Sequence, residues 1–332
     1  MGLKENHKRS LIGMVSGLKN VPKEEIEKLY WQQKLTLSQI GRMFSVTYPT
    51  VIYWMKKRGV HTRGVRKYET RPFDGNELEK AYVMGLRLGD LNVRAHRRQI
   101  LARTSTSHPA MLELFRNIFQ RYSHVHQFSM FNPKKKPHFD WQIYALLDKS
   151  FDFLLSKAAP DDTLTNEDKF YAFLAGYTDA EGCILITPNG NGLRFYFQVA
   201  AEDKRTLFVI ANKLKEAGYH FTLRISAKKG ENYGRKYNKN YWELRIATKA
   251  DVIKLLERLA LRHQEKIKWK KLVLKMREVK MWSDVKEEVA ALRKNIQAEV
   301  NKCVIESEET FNRRLMEKTT TLRQTDCSEQ KI

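Results

Sequence analysis

Two helical stretches of this chain carry small residues at matching offsets. The first reads Ala81-Tyr82-Val83-Met84-Gly85-Leu86-Arg87-Leu88-Gly89-Asp90-Leu91, the second Phe173-Leu174-Ala175-Gly176-Tyr177-Thr178-Asp179-Ala180-Glu181-Gly182. With Asp90 aligned on Glu181, Gly85 falls on Gly176 and Gly89 on Ala180. Small residues four apart make a smooth helix face that lets two backbones approach closely. Each acid sits just past that face, so packing the two helices together brings two carboxylates to one end. Like charges that close are unfavourable unless protonated or bridged by cations. Magnesium, held by one or two carboxylates with phosphate oxygens completing its shell, relieves the conflict.

The surrounding sequence repeats in the same way. A helical run from Leu78 to Leu91 precedes strand-like stretches at Ile100–Thr104, His124–Phe131 and Phe139–Leu147, with helices at Pro109–Arg121 and Ser150–Lys157. After a polar joint at Pro160-Asp161-Asp162 the order recurs: helix Lys169–Ala180, strands Cys183–Thr187 and Leu193–Ala200, helix Lys204–Ala217, strands Thr222–Ala227 and Tyr241–Thr248, helix Ala250–Leu261. Alternation such as Arg194-Phe195-Tyr196-Phe197-Gln198-Val199 predicts antiparallel sheets with one wet face. The fold class is therefore α+β, two lobes of ααββαββα type spanning 77–160 and 161–284.

Ahead of the lobes, residues 1–62 read as short helices. Pro22 and the acids Glu24 and Glu25 open the first, Leu37, Ile40 and Phe44 stripe the second, and Thr47 is placed to cap a third with Pro49 in its first turn. Gly59 stops it. The pattern resembles a helix-turn-helix, with Gly41 where two helices touch and Ser45 at the turn position usually held by Gly. The third helix of such a motif enters the major groove, which would set Thr47, Tyr48, Thr50, Tyr53, Lys56 and Lys57 toward DNA. Residues 63–76 are polar and rich in breakers and read as a linker. The segment 285–332 reads as a charged helical tail without chemistry of its own.

Charge points to the partner. Sixty-one Lys and Arg against thirty-eight Asp and Glu give a net +23, and the segment 285–332 is balanced, so the whole excess precedes it. Such an excess is the footprint of a polyanion binder, nucleic acid first. No run of about eighteen apolar residues exists, so no membrane helix is expected. The three cysteines, Cys183, Cys303 and Cys327, lie far apart with no CxxC, which excludes a disulfide framework and a Cys-rich zinc site and fits a reducing, cytoplasmic setting. Histidines 96, 108, 124, 126 and 138 lack a Cys or acid at ligand spacing and do not read as a zinc site.

The two acidic helices resemble the LAGLIDADG homing endonuclease family in its monomeric form with two tandem motifs. The resemblance covers about residues 77–280. The second motif, Leu-Ala-Gly-Tyr-Thr-Asp-Ala-Glu-Gly, is the more specific; in the first, Leu91 stands where Gly is usual. The resemblance implies that Asp90 and Glu181 bind the catalytic Mg2+, helped by the carbonyls of Gly89 and Ala180. It implies a lysine near the start of each lobe's last helix. Lys266 matches in the second lobe, while Ala158 to Asn166 of the first holds no Lys or Arg and Lys157 lies just before it. It implies saddle-shaped antiparallel sheets lying along the major groove of duplex DNA.

The wet strand faces and turns then offer Arg94, Arg97, Arg98, Arg103, His124, Gln127 and Gln142 in the first lobe. The second lobe offers Asn189, Arg194, Gln198, Arg224, Lys228 and Lys229. The loops at 132–137 and 228–240 are basic and suited to phosphates. The implied activity is site-specific cleavage of double-stranded DNA in intron or intein homing. Two alternatives share the scaffold: a DNA-binding transcriptional regulator on a degenerate LAGLIDADG domain, and an RNA maturase assisting splicing of an intron RNA.

Overall fold

The computed structural model describes residues 18–33, 35–62, 68–133, 138–158, 166–230 and 237–329, with side chains to residue 317. The chain divides between Tyr68 and Glu69 into two compact units, each with its own hydrophobic cluster.

In the first unit, α1 (Lys23–Glu27) runs on through a π-helical stretch, Lys28–Gln32, and is followed by α2 (Leu37–Met43) and α3 (Tyr48–Lys57). Ile26, Leu29, Tyr30, Ile40, Val51 and Met55 form its core. A capping box between Thr36 and Gln39 starts α2. A Cβ on Gly41 would lie 2.5 Å from the Val46 carbonyl oxygen, so only glycine permits this approach of the turn to α2. Ser45 occupies the left-handed region at φ 52°, the conformation that a glycine would adopt without strain. Thr47 stands at the N-cap of α3 without capping it: its hydroxyl pairs with that of Thr50 at 3.1 Å. Gly59, at φ +68°, ends the helix.

Part of the expected linker belongs to the second unit. Residues 63–67 lie outside the described residues, but Arg71 N–H donates to the Tyr122 carbonyl at 2.8 Å and Phe73 N–H to Ser150 Oγ at 2.8 Å. The Phe73 ring packs on Tyr122, Phe151 and Phe153. A large aromatic inside a polar segment was the sign that this stretch has a core to reach.

The second unit begins with α4 (Glu77–Leu88), β1 (Asn92–His96), β2 (Gln99–Thr106), α5 (Pro109–Phe119), β3 (Val125–Asn132), β4 (His138–Leu147) and a 3-10 turn at Lys149–Leu155. It repeats with α6 (Glu167–Glu181), β5 (Gly182–Asn189), β6 (Gly192–Ala201), α7 (Lys204–Glu216), β7 (Thr222–Ala227), β8 (Tyr241–Ile246), α8 (Lys249–Arg258) and α9 (Gln264–Lys275). Both sheets are antiparallel, with matching orders β1-β2-β4-β3 and β5-β6-β8-β7. The duplication read from the sequence is thus a duplication of topology, and the architecture is the expected two-lobe α+β one. Strand β1 was missed because only Val93 is buried in it, too little for an alternation to register. The last helix expected in the first lobe is a 3-10 turn.

Each sheet buries one face. Val93, Ala102, Ile143 and Ala145 point into the first lobe's core, and Ile184, Phe195, Phe197 and Ile246 into the second's.

The expected tail is a brace. α10 (Lys286–Glu329) starts on the second lobe, where Arg293 donates to the Ile186 carbonyl at 3.2 Å. It then packs on the first. Trp141 Nε1–H donates to the Cys303 carbonyl at 3.1 Å, Ser307 Oγ–H to the Asp140 carbonyl at 2.9 Å, and Phe311 packs on Phe131 and Phe139. Among the described residues no helix is long and apolar enough to cross a membrane.

Candidate active site and nucleic-acid face

Helices α4 and α6 start alike. Asn76 caps α4 by accepting from Glu79 N–H at 2.9 Å, and Asn166 caps α6 by accepting from Lys169 N–H at 3.0 Å. They then pack backbone to backbone. A Cβ on Gly85 would lie 2.0 Å from the Phe173 carbonyl oxygen, and one on Gly176 1.9 Å from that of Tyr82. At the far end a Cβ on Gly89 would strike the Ala180 methyl at 2.3 Å and Glu181 Cγ at 3.0 Å. Asp90 follows the end of α4 and Glu181 is the last residue of α6, so the close helix contact delivers both acids to one end.

Their electrostatics record that placement. Burial raises Asp90, with Lys266 and His108 opposing. Burial raises Glu181 to about 7, and the Asp90 charge adds to the shift while Lys266 opposes it. The acids open on different clefts. Asp90 lines one of about 430 Å³ together with Ser105, His108, Cys183, Glu265 and Lys266. Glu181 lines another of about 860 Å³ whose walls carry Lys157, Lys204, Arg205 and Lys239. The basic side chains of the Glu181 cleft thus come from both lobes. Residues 159–165, most of the stretch where the first lobe's lysine was expected, lie outside the described residues.

Lys266 reaches the site in an unexpected posture. Its ammonium donates to the carbonyls of Thr178, Asp179 and Ala180 at 2.5, 2.6 and 3.1 Å. It caps the carboxyl end of α6, where cations are favoured, and burial lowers its pKa.

Three further groups were not singled out from the sequence. Asp179 is fully buried; its Oδ2 accepts from Tyr82 O–H at 2.6 Å and from Arg262 N–H at 2.7 Å. Arg262 in turn grips Glu79 with two hydrogen bonds and lies 3.9 Å over the Tyr82 ring. Asp179 thereby ties the motif helices to the segment before α9. His108 and Glu265 meet across the lobes, Nδ1 standing 3.0 Å from each carboxylate oxygen. His263 is buried, and desolvation pushes it down to about 3. Asp179 could have been noticed within the Asp-Ala-Glu of its motif. The partnership of His108 with Glu265 has no local signal.

The donor set suits a hard divalent cation: two carboxylates, with the carbonyls of Gly89 and Ala180 adjoining. Glu181, half-buried and raised further by the Asp90 charge, carries the conflict that a bound cation would relieve. Ala180 O keeps one lone pair beyond its bond from Lys266. Among the described residues no three His, Cys, Asp or Glu side chains are grouped to hold a metal, so the backbone carbonyls and a ligand's own oxygens would have to complete a shell.

The outward sheet faces carry most of the expected DNA contacts. Arg94, Arg103 and Gln142 share the outer face of the first sheet by register, as do Arg194, Gln198 and Arg224 on the second. Gln127 does not. It alternates onto the inner face and accepts from Arg116 of α5. Arg97 and Arg98 form the exposed β1–β2 turn, with Arg97 at φ 56°. His124 precedes β3, where it packs edge-on against His126. Lys228 and Lys229 are exposed after β7. Arg224 is held by Glu243 at 3.1 Å, and Arg245 bridges Glu243 and Gln198. Arg194 is braced by Asn189 and Tyr196. On α3, Thr47, Tyr48, Tyr53, Lys56 and Lys57 are exposed and Thr50 is half-buried. Lys134–Lys136 lie outside the described residues.

No protein-family model matches the chain, and no curated protein matches it by sequence. Solved structures similar to it include full-length DUF199/WhiA from Thermatoga maritima, with 17% identity over 68% of this chain and 68% of that one and a TM-score of 0.42. The homing endonuclease I-WcaI bound to its DNA recognition sequence shares 16% identity over 55% and 81%, TM-score 0.40. Mesophilic variants of the homing endonuclease I-DmoI share 14% over 55% and 95%, TM-score 0.37. At such identities the likeness carries no residue role across.

Proposed function

We propose that this protein is a site-specific endonuclease that cleaves duplex DNA by metal-dependent phosphodiester hydrolysis, with mobility of an intron as its biological setting. The carrying observation is the pair of acids, Asp90 and Glu181, delivered together by glycine-locked helices between two sheets with cationic, polar outer faces. Asp90 and Glu181, with the Gly89 and Ala180 carbonyls, would hold Mg2+. When bound, such a cation neutralises phosphate charge and acidifies water. The protein's own part is placement. Arginines on the sheet faces hold the backbone, Gln142 and Gln198 are of the type that reads base edges, and α3 supplies a separate contact with the groove. Two acids opening on two clefts provide one site for each strand.

Incubation with a library of duplexes and Mg2+ tests this reading. Double-strand cuts at one sequence are expected, and complete absence of cutting with tight duplex binding would overturn it. One observation favours a second reading, a DNA-binding regulator without catalysis. All three Lys266 N–H groups are committed to backbone carbonyls, which withdraws that cation from a phosphate. Sequence-specific binding without cuts at any divalent metal is the outcome that reading requires.

A further inference from the structure

The cleft beside Asp90 is assembled from both lobes. His108 stands at the N-cap of α5 and Glu265 in the first turn of α9. Both oxygens of Glu265 lie 3.0 Å from His108 Nδ1. The Glu265 side chain is 10% exposed and that of His108 47%, so the carboxylate is enclosed and the ring reaches solvent. An ionised Glu265 fixes Nδ1 as a donor and leaves Nε2 as the nitrogen available to a ligand.

Three basic side chains line this cleft among the described residues: His108, His263 and Lys266. Lys266 has each of its protons on a carbonyl of α6. His263 is buried and held neutral by desolvation. His108 remains. The titratable groups that share its cleft are Asp90 from the end of α4, Asp179 from α6, Glu265 and Lys266 from α9, His263 before α9 and Cys183 from β5. The hydrogen bond from Glu265 is the largest influence and raises its pKa, aided by the Asp90 charge and opposed by burial and Lys266.

We infer that His108 is the general acid of the Asp90 half-site, giving its Nε2 proton to the sugar oxygen that leaves phosphorus, with Glu265 as the residue that positions it. The step balances. A water oxygen bonds to phosphorus and releases a proton to solvent. The bond from phosphorus to the leaving sugar oxygen breaks, its electron pair stays on that oxygen, and the oxygen takes the His108 proton. The imidazole is reprotonated from solvent. Among the described residues the Glu181 half-site lacks this device. The matched N-cap, on α7, is Asp203, whose carboxylate accepts from Arg205 N–H and Thr206 Oγ1–H of its own helix. The inference rests on the nuclease reading and predicts that the two strands are cut by unlike chemistry.

The test uses the full-length protein, Mg2+ and a plasmid pool bearing random duplex inserts. The recovered cut sequence is then cleaved in single turnover, each strand labelled, from pH 6 to 9. His108→Gln is expected to slow one strand by about 10²–10³-fold, within the usual range for a general acid. The other strand should change by less than about threefold by the same reasoning, and nicked product should accumulate. In the wild type that one strand should slow as pH rises through the His108 pKa, and Glu265→Gln should move the decline to lower pH. A bridging phosphorothiolate at the scissile link, whose sulfur leaves without a proton, should restore His108→Gln. Melting curves and duplex binding establish that the variants fold. Equal slowing of both strands, an unchanged rate on both, or failure of the sulfur substrate to rescue would overturn the assignment and leave the nuclease reading standing. A wild type that cuts neither strand would overturn the nuclease reading and the acid with it.

Discussion

Glu181 is the side chain at which the site's electrostatics can be read without knowing the target. Its folded pKa stands at about 7, above the ordinary 4.5 of a glutamate. The fold therefore binds this proton more tightly than the unfolded chain does. That stabilisation is fully present below about pH 4.5 and is lost as pH rises through 7. In metal-free buffer, Glu181→Gln should match the wild type near pH 5 and melt several degrees higher at pH 8, with roughly 2–4 °C for each kcal/mol in a unit of this size. Mg2+ at pH 8 should raise the wild-type melting temperature more than that of the variant. A gap between the two proteins that is the same at pH 5 and pH 8 would count against the assigned burial. For cleavage, Asp90→Asn and Glu181→Gln should each abolish double-strand cutting, leaving at most a nick in the other strand, and keep duplex affinity within about threefold, since an amide keeps the shape and loses the metal affinity. Cutting at wild-type rates by both would remove these acids from the site. Both acids were legible in the sequence because a duplicated pattern fixes position. His108 and Glu265, 157 residues apart, were not, because only the fold makes them neighbours.

At the scale of elements, the α4–α6 contact sets the geometry on which the acids depend. Gly85 and Gly176 each face a carbonyl of the opposing helix at about half a normal contact distance from any added carbon, as the 2.0 and 1.9 Å values show. Even the smallest addition must separate the helices, and backbone cannot rotate aside as a flexible side chain can. Gly176→Ala should therefore be destabilising by about 3 kcal/mol, the upper end for overpacking. It should also reduce cutting more than binding, since it moves Asp90 relative to Glu181. A melting curve unchanged within a degree would show that the helices yield more easily than this packing implies. The small-residue spacing announced the contact because a helix face is a local property. The role of α10 was hidden for the opposite reason. Its charges are balanced and its apolar residues sparse, so Cys303, Ser307 and Phe311 acquire meaning only against Trp141, Asp140 and Phe139 of a distant strand. Strand β1 was lost in the same way, carried by pairing with β2 rather than by its own pattern.

For the whole molecule, the decisive quantity is where the +23 charge acts. The first unit has its own core around Ile26, Ile40, Val51 and Met55, and the second holds both acids and both clefts. Chemistry and DNA binding by α3 can thus be separated by cutting the chain after Tyr68. The expected result is a folded protein of residues 69–332 that cleaves the same sequence once bound. Its affinity should be lower and less sensitive to salt. On α3 the exposed cations are Lys56 and Lys57, and Arg58 is partly drawn inward by its bond to the Leu18 carbonyl at 3.0 Å. Without the two lysines at the phosphates, the slope of log affinity against log salt should flatten by about 1.8, at about 0.9 for each. Anisotropy titrations of a labelled target duplex between 50 and 300 mM KCl would measure it. A shortened protein with full affinity and an unchanged slope would mean that α3 does not touch this DNA. Loss of cutting despite full occupancy of the duplex would place the first unit inside the catalytic assembly, against the division of labour proposed for the two units.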